Sequence, residues 1–215
     1  MNTLVKKLKE ALNKKQGKLF LYQIDSFDKT FRELDKKTLE ILYNYSLSEG
    51  NPVYEDICYF LEKYENQKFL NFLSDPVFER IFYTSQRVRR EIHRFKGFLR
   101  FKEVEGGYLY ASFQPEYNII LPLSRHFANR MTKEKIIIHD TKRNLAVFCH
   151  EKRVYPAQIE SSIPMETSLE KIISSLWIEY FEKVAIKERF NKKIQQQKVP
   201  LKYRNSILEF RREHV

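Results

Sequence analysis

Hydrophobic residues recur at helical spacing over residues 1–90 of the chain. Leu4, Leu8 and Leu12 are four residues apart, and this spacing places side chains on one face of a helix. Further stripes of the same spacing follow along this part of the chain. The pattern therefore predicts a helical N-terminal lobe.

The period of the pattern changes after Gly97, which is a plausible end for the last of these helices. Short segments rich in aromatic and β-branched residues follow, and such segments are typical of strands. Glu105-Gly106-Gly107 indicates a hairpin turn between two of them, and residues 124–131 indicate a short helix inserted among them. We expect the strands at residues 98–104, 108–113, 118–121, 135–139 and 145–150.

A helix start is indicated at Thr167. Thr167 and Glu170 have the spacing of a capping box, in which each side chain satisfies a backbone donor of the first turn. A long helix should follow, with its apolar stripe packed inward, until Pro200 ends it. The stripe consists of Leu169, Ile172, Ile173, Leu176, Tyr180 and Val184, and Trp177 and Phe181 are also expected in the core.

Together these elements predict an α+β fold with a helical N-terminal lobe, a small antiparallel sheet carrying an inserted short helix, and a C-terminal helical region. We expect the lobe at residues 1–90 and the α+β core with its C-terminal helices at residues 91–215, the two forming one compact unit. The chain has 17 Phe and 13 Tyr but 5 Gly in 215 residues. This composition excludes collagen-like and intrinsically disordered classes.

Nothing in the sequence indicates a membrane protein. The longest apolar runs, such as residues 136–138, are far shorter than the roughly 18 residues that a span requires, and the lysine-rich start lacks the core of a signal peptide. Cys58 and Cys149 are too few for a disulfide framework or a four-cysteine metal site, which fits a reducing compartment. We expect a cytoplasmic protein with no cofactor, no metal site and no membrane partner.

The chain carries a formal net charge of +11, which favours a polyanionic partner. Two segments concentrate the cations. Six lie between Arg87 and Arg100 against the single acid Glu91, and ten lie between Lys183 and Arg212 against two acids. These segments are the candidate surfaces for a nucleic acid.

Helical spacing would place Arg89, His93 and Lys96 on one face and His126 with Arg130 on another, and either face could bind phosphate. In the C-terminal tract, Tyr203 would be available to stack on a base. For each of these three surfaces the alternative is an ordinary solvated cationic face. The expected nucleic-acid-binding residues are Arg87, Arg89, Arg90, Arg94, Lys96, Arg100, Arg130, Lys142, Arg143, Lys192, Lys193, Lys202, Tyr203 and Arg204. The aromatic residues of the strands, including Tyr108, Tyr110 and Phe113, are more typical of a core than of a surface for single strands.

A catalytic role would require five candidate side chains, from different parts of the sequence, to lie close together in the fold. If they converge, these side chains could act on an abasic site or a phosphodiester, and Lys96 could form a Schiff base if its pKa is lowered. Asp140 more often caps its own turn in such a context. The candidates are His93, Lys96, His126, His139 and Asp140, and whether the chain is an enzyme stays open.

Residues 91–101, which read EIHRFKGFLRF, resemble the signature of a bacterial family of unknown function described as SAM-associated DNA metabolism proteins. Further blocks of that family follow in the expected order over roughly residues 85–210. They are Tyr110-Ala111, residues 115–119, Leu123 with residues 126–128 and Arg130, residues 138–140 with Lys142-Arg143, Trp177 with Tyr180-Phe181, and residues 200–204 with Glu209-Phe210.

This resemblance implies a role in DNA repair or modification. Members of the family are encoded beside a radical-SAM protein, and a similar domain is fused to uracil-DNA glycosylases. The resemblance supplies no catalytic residues. We therefore expect a DNA-binding component that presents DNA to a radical-SAM partner; an enzyme acting directly on damaged DNA and a protein-interaction module are the alternatives.

Overall fold

The computed structural model describes residues 34–49, 53–63, 74–157, 159, 165–186 and 189–210. Its helices and strands confirm the predicted α+β class, and the helix expected around Leu4, Leu8 and Leu12 lies outside the described residues. The helices are α1 (Lys36–Ser46), α2 (Val53–Lys63), α3 (Pro76–Phe98), α4 (Ile120–Arg130), α5 (Ser168–Val184) and α6 (Lys192–Lys198), followed by short 3₁₀ helices at Leu201–Ser206 and Leu208–Phe210. The strands are β1 (Lys102–Val104), β2 (Tyr108–Phe113), β3 (Ile136–Asp140), β4 (Leu145–His150) and β5 (Arg153–Ala157).

The chain divides into two compact units, Met1–Glu91 and Ile92–Val215. In the first unit, apolar side chains of α1, α2 and the first part of α3 form one core. Phe60 and Phe78 are fully buried there, with their ring centroids 4.8 Å apart. The Asp35 carboxylate begins α1 by accepting from the backbone N–H groups of the second and third helical residues at 3.0 Å, which satisfies donors that the helix leaves unpaired.

A buried carboxylate links the three described helices of the first unit. Asp56 of α2 is 3% exposed and accepts from Arg80 Nε of α3 at 2.7 Å. The Tyr45 hydroxyl of α1 donates to the same carboxylate, and burial, reinforced by the Asp56 charge, raises the pKa of Tyr45. Each polar group in this core therefore has a charged or hydrogen-bonding partner, as burial requires.

The second unit is built on a five-stranded sheet in which the spatial order of the strands is the order of the sequence. Three of the four strand pairs are antiparallel, as expected, but β2 and β3 are parallel. The expectation of a wholly antiparallel sheet is therefore wrong at this pair. The reason is α4, which returns the chain to the end of the sheet where β2 began, so that β3 runs in the same direction.

Three segments differ from their predicted structure. The strand expected at residues 98–104 is confined to Lys102–Val104, because α3 runs to Phe98. Residues 118–121 form no strand, because Ile120 is already the first residue of α4; a short apolar run is equally compatible with a strand and a buried helix. β5 is not among the predicted strands. Pro156 lies within it, and proline argues against a strand except at an edge. β5 is such an edge strand.

The predicted hairpin turn is confirmed between β1 and β2. Gly106 and Gly107 have φ angles of +85° and +72°, a left-handed conformation that side chains disfavour. A Cβ atom at Gly106 would also lie 2.9 Å from the ring of Tyr108. Glycine is therefore required at this turn on two grounds.

The core of the second unit lies between the sheet and α4. The Cys149 thiol of β4 donates to the Ser124 carbonyl of α4 at 3.7 Å, and burial raises the pKa of this thiol to about 11. Phe95, from the end of α3, is fully buried. Its ring centroid lies 5.1 Å from that of Phe113 on β2 and 5.0 Å from that of Tyr203.

The helix predicted after Thr167 is present, and its N-cap is as expected, since the Thr167 hydroxyl accepts from the Glu170 N–H at 3.1 Å. The helix ends at Val184, and α6 follows as a separate helix.

The expectation that the stripe of α5 packs inward is wrong. Among the described residues of α5, Ser174 is the one that is buried, whereas the stripe residues Leu169, Ile172, Ile173, Leu176, Tyr180 and Val184 are 49–58% exposed. Trp177 and Phe181, also expected in the core, are 39% and 43% exposed. Helical periodicity fixes which side chains share a face, but it does not fix what covers that face. None of the described helices is both long and apolar enough to cross a bilayer.

The ring cluster around Phe95 should dominate the stability of the second unit. We expect Phe95→Ala to lower the free energy of unfolding by about 3–5 kcal/mol, because it removes a buried ring and leaves a cavity. Urea denaturation followed by circular dichroism measures this loss. Tyr83→Ala, at a 53% exposed position of the same helix, is the control and should cost far less; equal losses would contradict the prediction.

Candidate nucleic-acid interface

Basic side chains from two helices of the second unit meet around His126. Lys96 comes from the last turn of α3, and Arg130 lies one helical turn after His126 on α4. The pKa of His126 is lowered, first by burial and then by the charges of Lys96 and Arg130. A protonated imidazole would add a third positive charge at this point, which favours the neutral ring. We name Lys96, His126 and Arg130 the cationic cluster.

No acidic side chain compensates this cluster within the described ranges. Neither Lys96 nor Arg130 forms an ion pair there, although other cations of the chain do. Lys96 is partly buried and Arg130 is exposed. The cluster therefore presents positive charge to solvent without an internal counterion, which is the electrostatic requirement for binding a phosphate.

The remaining cations between Arg87 and Arg100 differ in whether they contact an acidic side chain. Arg89 lies 4.0 Å from the carboxylate of Glu40. Arg100 is engaged by the protein itself, because its guanidinium donates to Glu209 at 2.6 Å and lies 5.1 Å from the centre of the Trp177 ring. The other arginines between Arg87 and Arg100 form no ion pair in the described part of the chain; they are Arg87, Arg90 and Arg94.

Lys142 and Arg143 stabilise a loop of the protein itself. Arg143 donates to the Asp140 carboxylate at 3.0 Å and to the Glu116 carbonyl at 2.9 Å, and its side chain is 14% exposed. The Lys142 ammonium donates to the same Glu116 carbonyl at 3.0 Å. Both residues are thus used to hold the connection between β3 and β4 against the chain after β2.

The C-terminal tract is also largely occupied by internal contacts. Tyr203 is 2% exposed and packs on Phe95, so the interpretation of Tyr203 as a base-stacking residue is wrong; the core takes its ring. The Arg204 guanidinium donates to Gln195 at 3.2 Å, and Lys202 pairs with the carboxylate of Glu116. Lys192 and Lys193 of α6 are exposed and have no ion pair among the residues that the structure describes.

The five catalytic candidates do not share one arrangement. Lys96 and His126 belong to the cationic cluster, and His93 is exposed one turn before Lys96 on α3. His139 and Asp140 are adjacent on β3, and successive side chains of a strand point to opposite faces of the sheet. The structure therefore brings together the first pair and separates the last.

Asp140 caps its own turn, as predicted. Its carboxylate is fully buried and accepts from the backbone N–H groups of Lys142 at 3.0 Å and Arg143 at 3.2 Å. Burial raises the pKa of Asp140, and the neighbouring guanidinium of Arg143 opposes this shift. With these hydrogen bonds in place, the role of Asp140 is to fix the loop.

His139 lies on the opposite face of the sheet from Asp140, against Tyr110. The Tyr110 hydroxyl and the His139 Nδ1 atom are 2.8 Å apart, and burial raises the pKa of Tyr110. The His139 Nε2 atom is buried and has no hydrogen-bond partner in the described part of the chain. Tyr110 and Phe113 are core residues, as the sequence favoured.

Sequence reasoning missed a row of aromatic rings on the face of the sheet that carries His139. Phe148 lies between Tyr108 and Tyr155, and its ring centroid is 6.1 Å from each of theirs. Tyr155 is 43% exposed, and the Lys135 ammonium lies 5.7 Å from the centre of the Tyr108 ring. We name Tyr108, Phe148 and Tyr155 the aromatic row. The row was not predicted because β5, which carries Tyr155, contains Pro156, and proline argues against a strand.

The described chain is thus an α+β domain that pairs a five-stranded mixed sheet with an uncompensated cationic cluster. Residues 51–209 match the model of a domain of unknown function, DUF4130, and the chain belongs to this family. No curated protein matches the chain. No solved structure matches it either.

The cationic cluster predicts a measurable change in the titration of His126. We expect Lys96→Gln and Arg130→Gln each to raise the pKa of His126, because removing a nearby positive charge favours the protonated ring. NMR titration of the imidazole measures the shift.

Lys183→Gln, which removes the same charge from α5, is the matched control for this titration and should leave the pKa of His126 unchanged. An equal shift in the control would show that the effect comes from net charge and not from the cluster.

Proposed function

We propose that this chain is a DNA-binding component of a bacterial DNA repair or modification pathway, and that it presents DNA to a radical-SAM partner. The observation that carries the DNA-binding part is the cationic cluster, in which Lys96 and Arg130 act on His126 with no ion pair of their own among the described residues. The pathway and the partner rest on the resemblance of residues 91–101 and the blocks after them to SAM-associated DNA metabolism proteins.

The physical case for a polyanion is the repulsion within the cluster. Two cations that together lower the pKa of a neighbouring imidazole repel each other as well, and a bound phosphate relieves this repulsion. A DNA backbone also releases condensed counterions when Lys and Arg neutralise its phosphates, which adds a favourable entropy. A neutral His126 keeps one ring nitrogen as a hydrogen-bond donor to a phosphate oxygen.

The aromatic row supports contact with unpaired bases. Base stacking on aromatic side chains is typical of proteins that bind single strands, and it tolerates any sequence. Tyr155 offers the most exposed ring of the row, and the cation Lys135 lies beside Tyr108. The row thus combines ring faces with positive charge, as such surfaces do.

DNA binding should depend on salt through the cluster. We expect the plot of log affinity against log salt to lose roughly one unit of slope for duplex DNA in each of Lys96→Gln and Arg130→Gln, because each removes one phosphate contact. Fluorescence anisotropy with labelled single-stranded and duplex DNA across a salt series measures the slope. Lys63→Gln lies outside both candidate surfaces, and its ammonium pairs with Asp75 at 3.2 Å; this variant is matched in charge and should keep the wild-type slope.

The same experiment decides between the proposal and its alternatives. Equal slopes in all variants would remove the cluster from the interface, and no binding at any salt would overturn the DNA function. The labelled strands, including uracil-containing and abasic ones, are afterwards separated on a denaturing gel. Intact strands are expected; cleavage or a covalent adduct would make the chain an enzyme.

The aromatic row makes a separate prediction. We expect Tyr155→Ala to weaken binding of single-stranded DNA by about 1–3 kcal/mol, through the loss of one stacked base, and to change duplex binding little. Tyr83→Ala removes a tyrosine of the first unit that is 53% exposed and is the control in the anisotropy measurement. If the single-strand affinity of Tyr155→Ala equals that of the wild type, the row takes no part in binding.

A further inference from the structure

The stripe of α5 is the most extensive exposed apolar feature of the described chain. Of the exposed large apolar side chains in the described residues, all but Tyr83 and Tyr155 lie between Met165 and Leu201. Leu169, Ile172 and Leu176, at the start and centre of the stripe, are 56–58% exposed. We infer that this stripe packs against the same stripe of a second copy of the chain, so that the protein is a homodimer.

The direction in which the stripe points is set by polar contacts on another face of α5. The Glu170 carboxylate accepts from the Glu103 N–H of β1 at 3.1 Å and from the Ser174 hydroxyl at 2.9 Å. Just before the helix, the Thr167 N–H donates to the Glu103 carbonyl at 3.1 Å. α5 is therefore attached to the sheet through Thr167 and Glu170, and to the C-terminal segment through Trp177, whose indole N–H donates to Glu209 at 3.0 Å. The stripe residues themselves stay exposed.

The exposed area is sufficient for a stable dimer. Among the described residues, eleven exposed large apolar side chains lie from Met165 to Phe190. At on the order of 100 Å² each, about half of what a buried aromatic side chain contributes, they present roughly 1,000 Å². The largest apolar patch of a typical monomer is about 300–600 Å², and a standard interface buries about 800 Å² on each partner. The surface around the stripe exceeds the first value and meets the second.

The charges beside the stripe favour a copy of the chain over a polyanion or a membrane. α5 carries the acids Glu170, Glu179 and Glu182 and the bases Lys171 and Lys183, so its charges nearly cancel. A nucleic acid or an anionic lipid surface requires an excess of cations on such a helix. Two nearly neutral helices do not repel each other.

The stripe is self-complementary in an antiparallel arrangement. Every stripe position is apolar, so a two-fold axis near Leu176 places each residue of one stripe against an apolar residue of the other. Leu169 and Ile172 of one protomer then meet the Val184 and Tyr180 end of its partner. Beyond Val184, an open apolar hollow that includes Ile186 and Phe190 extends the surface.

Light scattering coupled to size-exclusion chromatography tests the dimer on the full chain. We expect a dimeric mass for the wild type at micromolar concentration. Leu176→Glu should weaken self-association more than about tenfold, because it places two like charges together at the two-fold axis. Leu176 is 57% exposed in the protomer, so the variant should fold, and circular dichroism checks that it does.

Ser175→Glu is the matched control, since it adds the same charge at the next, exposed position outside the stripe and should stay dimeric. Mixing Leu176→Glu with Leu176→Lys should restore a dimer, because opposite charges then meet at the axis.

A monomeric wild type, or a Leu176→Glu variant that stays dimeric, would overturn the inference; a monomeric wild type that forms a complex with another protein would assign the stripe to that protein instead. Failure of the charge-swapped mixture to pair would overturn the antiparallel arrangement. These outcomes are independent of DNA binding, which the anisotropy experiment measures.

Discussion

The burial of Phe95 determines where the second unit places the cationic cluster. Its ring is fully enclosed and makes edge contacts with Phe113 of the sheet and Tyr203 of the C-terminal segment. Because Phe95 is fixed, the next residue along α3, Lys96, is held where its charge acts on His126. The cationic cluster is thus a consequence of core packing, because the packing of Phe95 fixes the position of the backbone at Lys96.

Whether a cation of this protein is neutralised depends on its neighbours in the fold and not on its neighbours in the sequence. Arg143 is surrounded by acceptors, namely the Asp140 carboxylate and the carbonyl of Glu116, and it stabilises a loop. Arg130 lies on a helix beside other positive groups and acts on a titrating imidazole. A net charge of +11 therefore overstates the charge that is free to meet a polyanion, and the ion pairs of the fold identify which part remains.

Local patterns predicted those features that local chemistry determines. The capping box at Thr167 and the hairpin at Gly106-Gly107 were both readable, because each is decided by a few adjacent residues. The spacing of His126 and Arg130 likewise predicted a shared helix face. What joined Lys96 to them is tertiary packing, which no spacing along the chain encodes.

The failures of prediction have the same physical origin. The parallel pairing of β2 with β3 depends on the path of α4 across the sheet, and the outward direction of the α5 stripe depends on the polar contacts of Glu170 with β1. Lys202 and Arg204 flank Tyr203 in the sequence, and these neighbours do not indicate whether its ring is buried or exposed. In each case the residue type was correctly read, but its surroundings come from distant parts of the chain.

The two ends of the sheet make it resistant to aggregation through its edges. At one end, Met165 and Thr167 hydrogen-bond to the outer side of the β1 hairpin and occupy groups that an added strand would need. At the other end, Pro156 lies in β5 and has no N–H to offer to a further strand. An exposed strand edge is a template for uncontrolled addition of chains. Addition of a further strand at either edge of this sheet is therefore disfavoured.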